Sequence, residues 1–134
     1  QHIAAELIGR YKMERNSIPA ISLTTDTSVL TSLSNDYSFD NIFSRQCDGL
    51  VNRGDVVIAI STSGKSKNVI NGLTSAKKKG AKTIGLLGKK GGDMTDLVTI
   101  PIIVDSSSTA RIQEVHRVIY HIICELVEQK LSTK

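Results

Sequence analysis

Three consecutive hydroxyl side chains, Ser61, Thr62 and Ser63, follow an apolar run and precede Gly64 and, two residues further on, Ser66. Hydroxyl groups donate hydrogen bonds to an anion, and a glycine lets the backbone approach it closely. A helix that begins here adds unpaired N–H groups and the positive end of its dipole, and Ser66 is placed to cap it. The segment therefore predicts a phosphate-binding loop, although a serine-rich turn with an ordinary cap has the same composition. Its spacing is neither that of a Walker loop nor that of a dinucleotide-binding turn.

Imidazole and carboxylate side chains near the two ends of the chain could move protons or bind a metal. His2 and Glu6 are four residues apart, so a helix places them on one face. There they could ligate a metal, supply a base and its partner, or form a solvent-exposed hydrogen bond. His121 lies in a strongly apolar run, where a histidine is either a ligand or a hydrogen-bonded core residue. Gln113 precedes it by about 12 Å along a straight helix, so spacing alone does not assemble a four-ligand site.

These side chains must be positioned by a chain in which short apolar runs alternate with stretches of helical period, which is typical of an α/β fold. The predicted helices span residues 2–13, 27–34, 40–51, 68–79, 94–98 and 109–131, and the predicted strands span residues 18–24, 55–61, 83–87 and 99–104. The segment 55–87 is predicted to form a β-α-β unit, in which the strands are parallel and the crossover is right-handed in nearly all known cases. Ligands bind beyond the carboxyl ends of such strands. The last helix is so apolar that we expect it to be buried nearly all round.

The composition indicates one folded domain. With 134 residues, 40% hydrophobic and 22% charged, the chain can bury a core without disulfides or a structural metal. Cys47 and Cys124 lack a C-x-x-C spacing and are expected to be buried thiols. No apolar run reaches the ~18 residues that cross a bilayer, and the sequence does not begin with a leader pattern. We therefore expect a cytoplasmic protein with no membrane partner.

The net charge of +4 permits an anionic partner. Its distribution argues against nucleic acid, because the lysines concentrate in two short clusters at 77–79 and 89–90 and aromatic residues make up only 4% of the chain. The first cluster follows a predicted helix, whose C-terminal dipole favours cations. A small anionic substrate fits this charge better than a polymer.

Five segments together resemble the phosphoheptose isomerases, also called sedoheptulose 7-phosphate isomerases, a family with the sugar isomerase (SIS) fold. The segments are QHIAAELIGRY at 1–11, SNDYSF at 34–39, FSRQ at 43–46, GDVVIAISTSG at 54–64 and RIQEVH at 111–116. Their combination is specific to that family, whereas the hydroxyl loop alone marks only the wider SIS superfamily. The resemblance implies a flavodoxin-like, three-layer α/β/α sandwich with a mostly parallel sheet, assembled as a homotetramer with active sites between subunits.

The resemblance also implies an activity and its residues. The reaction would convert D-sedoheptulose 7-phosphate to D-glycero-D-manno-heptose 7-phosphate through an enediol, the first step toward ADP-heptose or GDP-heptose for lipopolysaccharide or capsule. Glu6 and His121 would be the acid–base pair. One Zn²⁺ per subunit would be held by His2, Glu6, Gln113 and His121. The substrate would contact Asn35, Asp36, Glu6 and Gln113 with its sugar and Ser61, Thr62, Ser63 and Ser66 with its phosphate.

Two other functions are compatible with the same fold. A branch similar to the isomerases binds the bacterial replication initiator and is expected to lack the acid–base and metal residues, while a sugar-phosphate sensor would need only the hydroxyl loop. The presence of His2, Glu6, Gln113 and His121 together favours the isomerase. We expect residues 1–134 to form a single SIS domain that lacks the family's N-terminal helices and first strand.

Overall fold

A sheet of three parallel strands forms the centre of the computed structural model, which describes residues 1–132. The strands are β1 (Val56–Ser61), β2 (Lys82–Gly88) and β3 (Ile100–Val104), and they lie side by side in the order β1-β2-β3. Because β2 pairs with a neighbour on each side and is covered on both faces, it consists mainly of buried residues. The predicted β-α-β unit is therefore confirmed.

Five α-helices surround the sheet. They are α1 (His2–Ile8), α2 (Thr27–Asp36), α3 (Ile42–Leu50), α4 (Lys67–Lys78) and α5 (Thr109–Ser132), and single turns of 3-10 helix occur at Phe39–Asn41 and Gly92–Met94. Lys77 and Lys78 lie in the last turn of α4, where their charges complement the helix dipole. The short helix predicted at 94–98 is wrong, because the structure has only the 3-10 turn that ends at Met94.

Helices cover both faces of the sheet. Leu87 of β2 packs with Leu73 of α4 in one core cluster, whereas Gly88 faces Ile112 of α5. Successive residues of a strand point to opposite faces, so α4 and α5 lie on opposite sides of the sheet. On the α4 side a second buried cluster joins α3 to α4 through Cys47 and Ala76. The arrangement is the expected α/β/α sandwich.

The strand predicted over residues 18–24 is wrong, because these residues contain no strand in the described structure. Pro19 has no N–H to give to a ladder, and Ile21 is exposed. The carbonyl of Leu23 accepts a hydrogen bond from the Gln46 side chain at 3.0 Å, while its own side chain packs on the α3–α4 cluster. The apolar residues of this segment therefore reflect packing against helices, as Leu23 shows, and not pairing in a sheet.

Two helix predictions also need correction. The first helix ends at Ile8, not at residue 13, because the N–H groups of the following segment bond to a side chain of α5. The last helix is not buried all round. Within the chain, α5 exposes an apolar row that we call the α5 stripe and that consists of Val115, Val118, Ile122 and Leu126.

The two cysteines are buried free thiols, as predicted, and burial raises the pKa of both Cys47 and Cys124. Among residues 1–132, no helix has the length and apolar character to span a membrane.

Candidate active site

Three candidate residues from the two ends of the chain meet in space. Helix α1 presents His2 and Glu6 on one face, and α5 presents His121 toward them. The Nε2 atom of His2 lies 2.8 Å from Oε1 of Glu6 and 3.5 Å from Nε2 of His121. One ligand atom from each of the three residues lies within 4.8 Å of the others. The isolated His2–Glu6 pair of the sequence therefore becomes a three-residue cluster.

The donor set of this cluster suits a divalent metal. Two imidazole nitrogens and a carboxylate oxygen converge on a common point, and these are ligand types that Zn²⁺ accepts at catalytic sites. Three protein ligands would leave a coordination position for substrate. His121 is half-buried at the surface of α5. It is therefore not a fully buried core histidine, which was one of the two alternatives that its apolar sequence neighbours indicated.

Two tyrosine rings complete the surroundings of the cluster. The Tyr120 hydroxyl lies 2.8 Å from Nδ1 of His2, a contact that leaves Nε2 facing Glu6 and His121. The Tyr11 ring lies against His121 with centroids 5.3 Å apart and planes inclined by 32°. Neither tyrosine was predicted from the sequence to belong to the site, although Tyr120 adjoins His121.

A buried ion pair fastens the segment after α1 to α5. The Glu128 carboxylate accepts hydrogen bonds from the backbone N–H groups of Tyr11, Lys12 and Met13 at 2.7–3.0 Å and from Nε of Arg15 at 3.1 Å. Burial alone raises the pKa of Glu128, but the three N–H donors and the Arg15 charge outweigh it and hold the pKa at about 2, below its usual 4.5.

The sequence contained a signal for this ion pair. The residues His116, Tyr120, Cys124 and Glu128 recur every four positions on α5 and are all buried. A carboxylate in such a row needs a partner, and only the structure shows that the partner is Arg15.

The hydroxyl loop follows β1 and leads into α4, as predicted. Its hydroxyls are partly engaged with the loop itself. Ser61 Oγ accepts from the Gly64 N–H at 3.1 Å, and Ser63 Oγ accepts from the Lys65 N–H at 3.2 Å. Ser66 occupies the N-cap position of α4 but makes no capping hydrogen bond through its side chain. Its hydroxyl instead lies 3.2 Å from that of Ser61.

The shape of this loop depends on close backbone packing. Gly64 has a φ of +64°, and a side chain there would overlap the carbonyl oxygen of Gly91 in the loop after β2. The Gly64 carbonyl also accepts from the Met94 N–H at 3.2 Å. The two loops beyond the carboxyl ends of β1 and β2 therefore form one packed surface, with the N-terminus of α4 at its edge.

The remaining candidates are not joined to the cluster within the described chain. Gln113 is exposed, two turns before His121 on α5. Asn35 and Asp36 are exposed at the C-terminal end of α2, and Thr62 is half-buried in the hydroxyl loop. The structure therefore brings together His2, Glu6 and His121, and the functional roles of these and of the other candidate residues stay predictions.

Comparison with known proteins gives a consistent result. Residues 1–88 match the family model described as the SIS domain. The chain is 55% identical over 131 residues to the phosphoheptose isomerase of Sulfurimonas denitrificans, covering 98% of this chain and 67% of that protein. It is 57% identical over 129 residues to the phosphoheptose isomerase of Nitratiruptor sp., covering 96% and 69%.

Solved structures agree with the sequence matches. A phosphoheptose isomerase from Francisella tularensis has a TM-score of 0.91 at 35% identity, covering 96% of this chain and 69% of that chain. A phosphoheptose isomerase from Neisseria gonorrhoeae has a TM-score of 0.87 at 40% identity, covering 96% and 68%.

Proposed function

This chain belongs to the phosphoheptose isomerase family of SIS-domain proteins, and from that premise we propose that it converts D-sedoheptulose 7-phosphate to D-glycero-D-manno-heptose 7-phosphate. The observation that carries the proposal is the convergence of His2, Glu6 and His121 from opposite ends of the chain. An aldose–ketose isomerase needs a base, a second proton carrier and stabilisation of a developing oxyanion. The cluster offers the first two directly.

Glu6 is the base in this proposal. Its carboxylate removes a proton from C1 of the ketose, giving an enediol, and returns that proton to C2. Oε1 of Glu6 faces His2, so the second oxygen is the one available to substrate. His121 moves the hydroxyl proton from O1 to O2, a task that suits an imidazole near neutral pH. Carbon and oxygen protons are both conserved, and no other reactant is required.

We propose that one Zn²⁺ per subunit is held by His2, Glu6 and His121 together with a Gln113 that comes from a neighbouring subunit, because within one chain it lies two turns from His121 on α5. When bound, the ion supplies Lewis acidity at the substrate oxygens. Tyr120 supports this role by its contact with Nδ1 of His2, which directs Nε2 of that ring into the cluster.

Substrate binding is assigned to the two loops and α2. Ser61, Thr62, Ser63 and Ser66 bind the phosphate, supported by the N-terminus of α4. Asn35, Asp36 and Gln113 contact the sugar. Since these three residues lie apart from the cluster in one chain, the complete site draws on more than one subunit.

A homotetramer provides such a site. The α5 stripe exposes four apolar side chains on one helix face, and a contiguous apolar face of this kind indicates a protein interface. We propose that α5 helices of neighbouring subunits pack on one another through the stripe. The chain, as a single SIS domain over residues 1–134, would be the repeating unit.

The site lies in the cytoplasm in this proposal, because a charged sugar phosphate does not pass through a bilayer. The product would enter heptose synthesis for lipopolysaccharide or capsule. Binding of a replication initiator, or sensing of a sugar phosphate, is less favoured because neither needs His2, Glu6 and His121 to converge.

The test is turnover of D-sedoheptulose 7-phosphate by the full-length protein, followed by NMR of the sugar with and without a chelator. We expect conversion that is lost on chelation and restored by Zn²⁺. Binding of the sugar phosphate without conversion would support the sensing function instead.

A further inference from the structure

We propose that Arg15 and Glu128 are positioning residues, whose buried ion pair sets α1 and the segment after it against α5 and thereby fixes Glu6 and Tyr11 relative to His121. The inference rests on the proposed function, because it assumes that Glu6 and His121 act as a pair. It assigns a role to two residues that touch neither substrate nor metal.

Helix α1 lacks the usual means of holding its own position. It has seven residues, none of them buried, and no side chain caps its N-terminus. Isolated helices shorter than roughly 12 residues are marginal in water, and packing of an apolar face normally stabilises them. In the described chain, the apolar side chains of α1, such as Ile3 and Leu7, are only half-buried, so polar contacts contribute strongly to where Glu6 lies.

Arg15 supplies those contacts on the α1 side. Its Nη2 donates to the carbonyl oxygen of Glu6 at 2.8 Å, and its Nη1 donates to the carbonyl oxygen of Leu7 at 2.9 Å. The planar guanidinium thus binds the last turn of α1 at the catalytic residue itself. A displacement of Arg15 would move the Glu6 backbone with it.

Glu128 supplies the contacts on the α5 side. It accepts the Tyr11 N–H at 2.7 Å, which holds the Tyr11 ring against His121. Because Glu128 and His121 are seven residues apart on the same helix, they are rigidly related at a separation of about 10 Å. The ion pair therefore fixes the positions of Glu6 and Tyr11 relative to His121.

The geometry has little freedom to rearrange. The side chains of Arg15 and Glu128 are 7% and 1% exposed, and every donor around the carboxylate is directed at it. A nearby pair offers a contrast, since Lys12 and Glu125 form a 3.1 Å ion pair in the same region but remain partly exposed. Exposed pairs of this kind contribute little to stability.

The experiment compares Glu128→Gln and Arg15→Lys with Glu125→Gln as the matched control, in the full-length protein. For each variant, kcat and KM for sedoheptulose 7-phosphate are measured below the unfolding temperature, which circular dichroism establishes. Since misplacing a catalytic group by 1 Å can cost about 100-fold, we expect kcat to fall at least about tenfold in both variants. KM should change less than about threefold, because the hydroxyl loop holds the phosphate, and Glu125→Gln should match wild type.

A second readout does not depend on turnover. The Tyr11 ring lies 5.3 Å from the His121 ring, so we expect it to shift the ring-proton resonances of His121, and we expect NMR to show loss of that shift in Glu128→Gln and not in Glu125→Gln. Folded variants with wild-type kcat and an unchanged His121 signal would overturn the proposal. If the wild-type protein does not turn over the sugar, the proposed function fails, and the NMR comparison still decides whether Glu128 positions Tyr11.

Discussion

The Glu6 carboxylate contacts His2 through Oε1 and is also the proposed base. The two oxygens of a carboxylate can serve these two roles separately. At the scale of single residues, each substitution below therefore removes one functional group and leaves the rest of the side chain or backbone in place.

Replacing Glu6 with glutamine keeps the shape of the side chain but removes its ability to accept a carbon-bound proton. We expect kcat to fall by about 100- to 10,000-fold, the range of general-base contributions, with the thermal unfolding temperature nearly unchanged. Steady-state kinetics and circular dichroism measure the two quantities. Glu14→Gln, at an exposed acid beyond α1, is the control, and substantial turnover by Glu6→Gln would remove Glu6 as the base.

Replacing Ser63 with alanine removes a hydroxyl from the proposed phosphate loop. Hydrogen bonds to charged groups are worth about 1.5–3 kcal/mol, so we expect KM to rise by about 10- to 100-fold while folding is little affected. Thr74→Ala is the control, because Thr74 is exposed further along α4 and bonds only its own helix, at the Ile70 carbonyl. Equal KM values for the two variants would contradict a phosphate role for Ser63.

The candidate residues recognised from the sequence were of types that commonly act as acids, bases or metal ligands. His2 and Glu6 share a helix face by spacing, and the structure confirms that they meet. The contact between His2 and His121 spans 119 residues, so no local pattern could reveal that His121 joins the pair. The contacts of Tyr11 and Arg15 with Glu128 span 117 and 113 residues, so the four-residue spacing on α5 could indicate Glu128 but not its partners.

At the scale of elements, the hydroxyl loop depends on Gly64. An alanine there would adopt a positive φ and overlap the Gly91 carbonyl. Strain and overpacking each cost about 1–3 kcal/mol, so we expect Gly64→Ala to lower the free energy of unfolding by about 2–6 kcal/mol in urea titrations. Gly49→Ala in α3 is the control, because nothing lies within 4 Å of the added carbon, and alanine favours a helix. Equal stability of the two variants would contradict the loop packing.

The Glu128 contacts between the segment after α1 and α5 have a defined pH dependence. Because the pKa of Glu128 falls from 4.5 to about 2 on folding, its contribution to stability is complete above pH 4.5 and is lost as pH falls toward 2. We expect the unfolding temperature of wild type to exceed that of Glu128→Gln at pH 7, and the difference to shrink between pH 4.5 and pH 3. A difference that stays constant over this range would show that the charge is not responsible.

Elements with an internal signal were predicted well. The strands β1 and β2 each contain an apolar run, and a helix that ends in lysines joins them, so their type, order and parallel pairing could be predicted. The wrong predictions concern segments whose conformation depends on residues distant in the sequence. The helix predicted at residues 2–13 stops at Ile8, and the N–H groups of residues 11–13 bond to Glu128 instead. Residues 18–24 form no strand, since the Ile18 N–H bonds to the Leu7 carbonyl and the Leu23 carbonyl accepts from Gln46 of α3.

At the scale of the whole molecule, the α5 stripe is expected to join subunits. An aspartate at Ile122, in the middle of the stripe, would place a charge in that apolar contact. We expect analytical ultracentrifugation to show a smaller assembly for Ile122→Asp than for wild type, with loss of turnover if the site is shared. Arg117→Asp, at an exposed position outside the stripe, is the control. An Ile122→Asp variant that sediments as wild type would exclude the stripe as the interface.

The cluster of His2, Glu6 and His121 also has a consequence for how the newly synthesised chain folds. Its members come from opposite ends of the sequence, and the chain between them must be folded before they can meet, since closing so long a loop is unfavourable until other contacts offset its entropy. A partly folded chain that already holds its sheet and α4 would lack the cluster. We therefore expect activity to return in refolding only after this long-range closure and the subunit assembly that completes the site, and not with the formation of secondary structure.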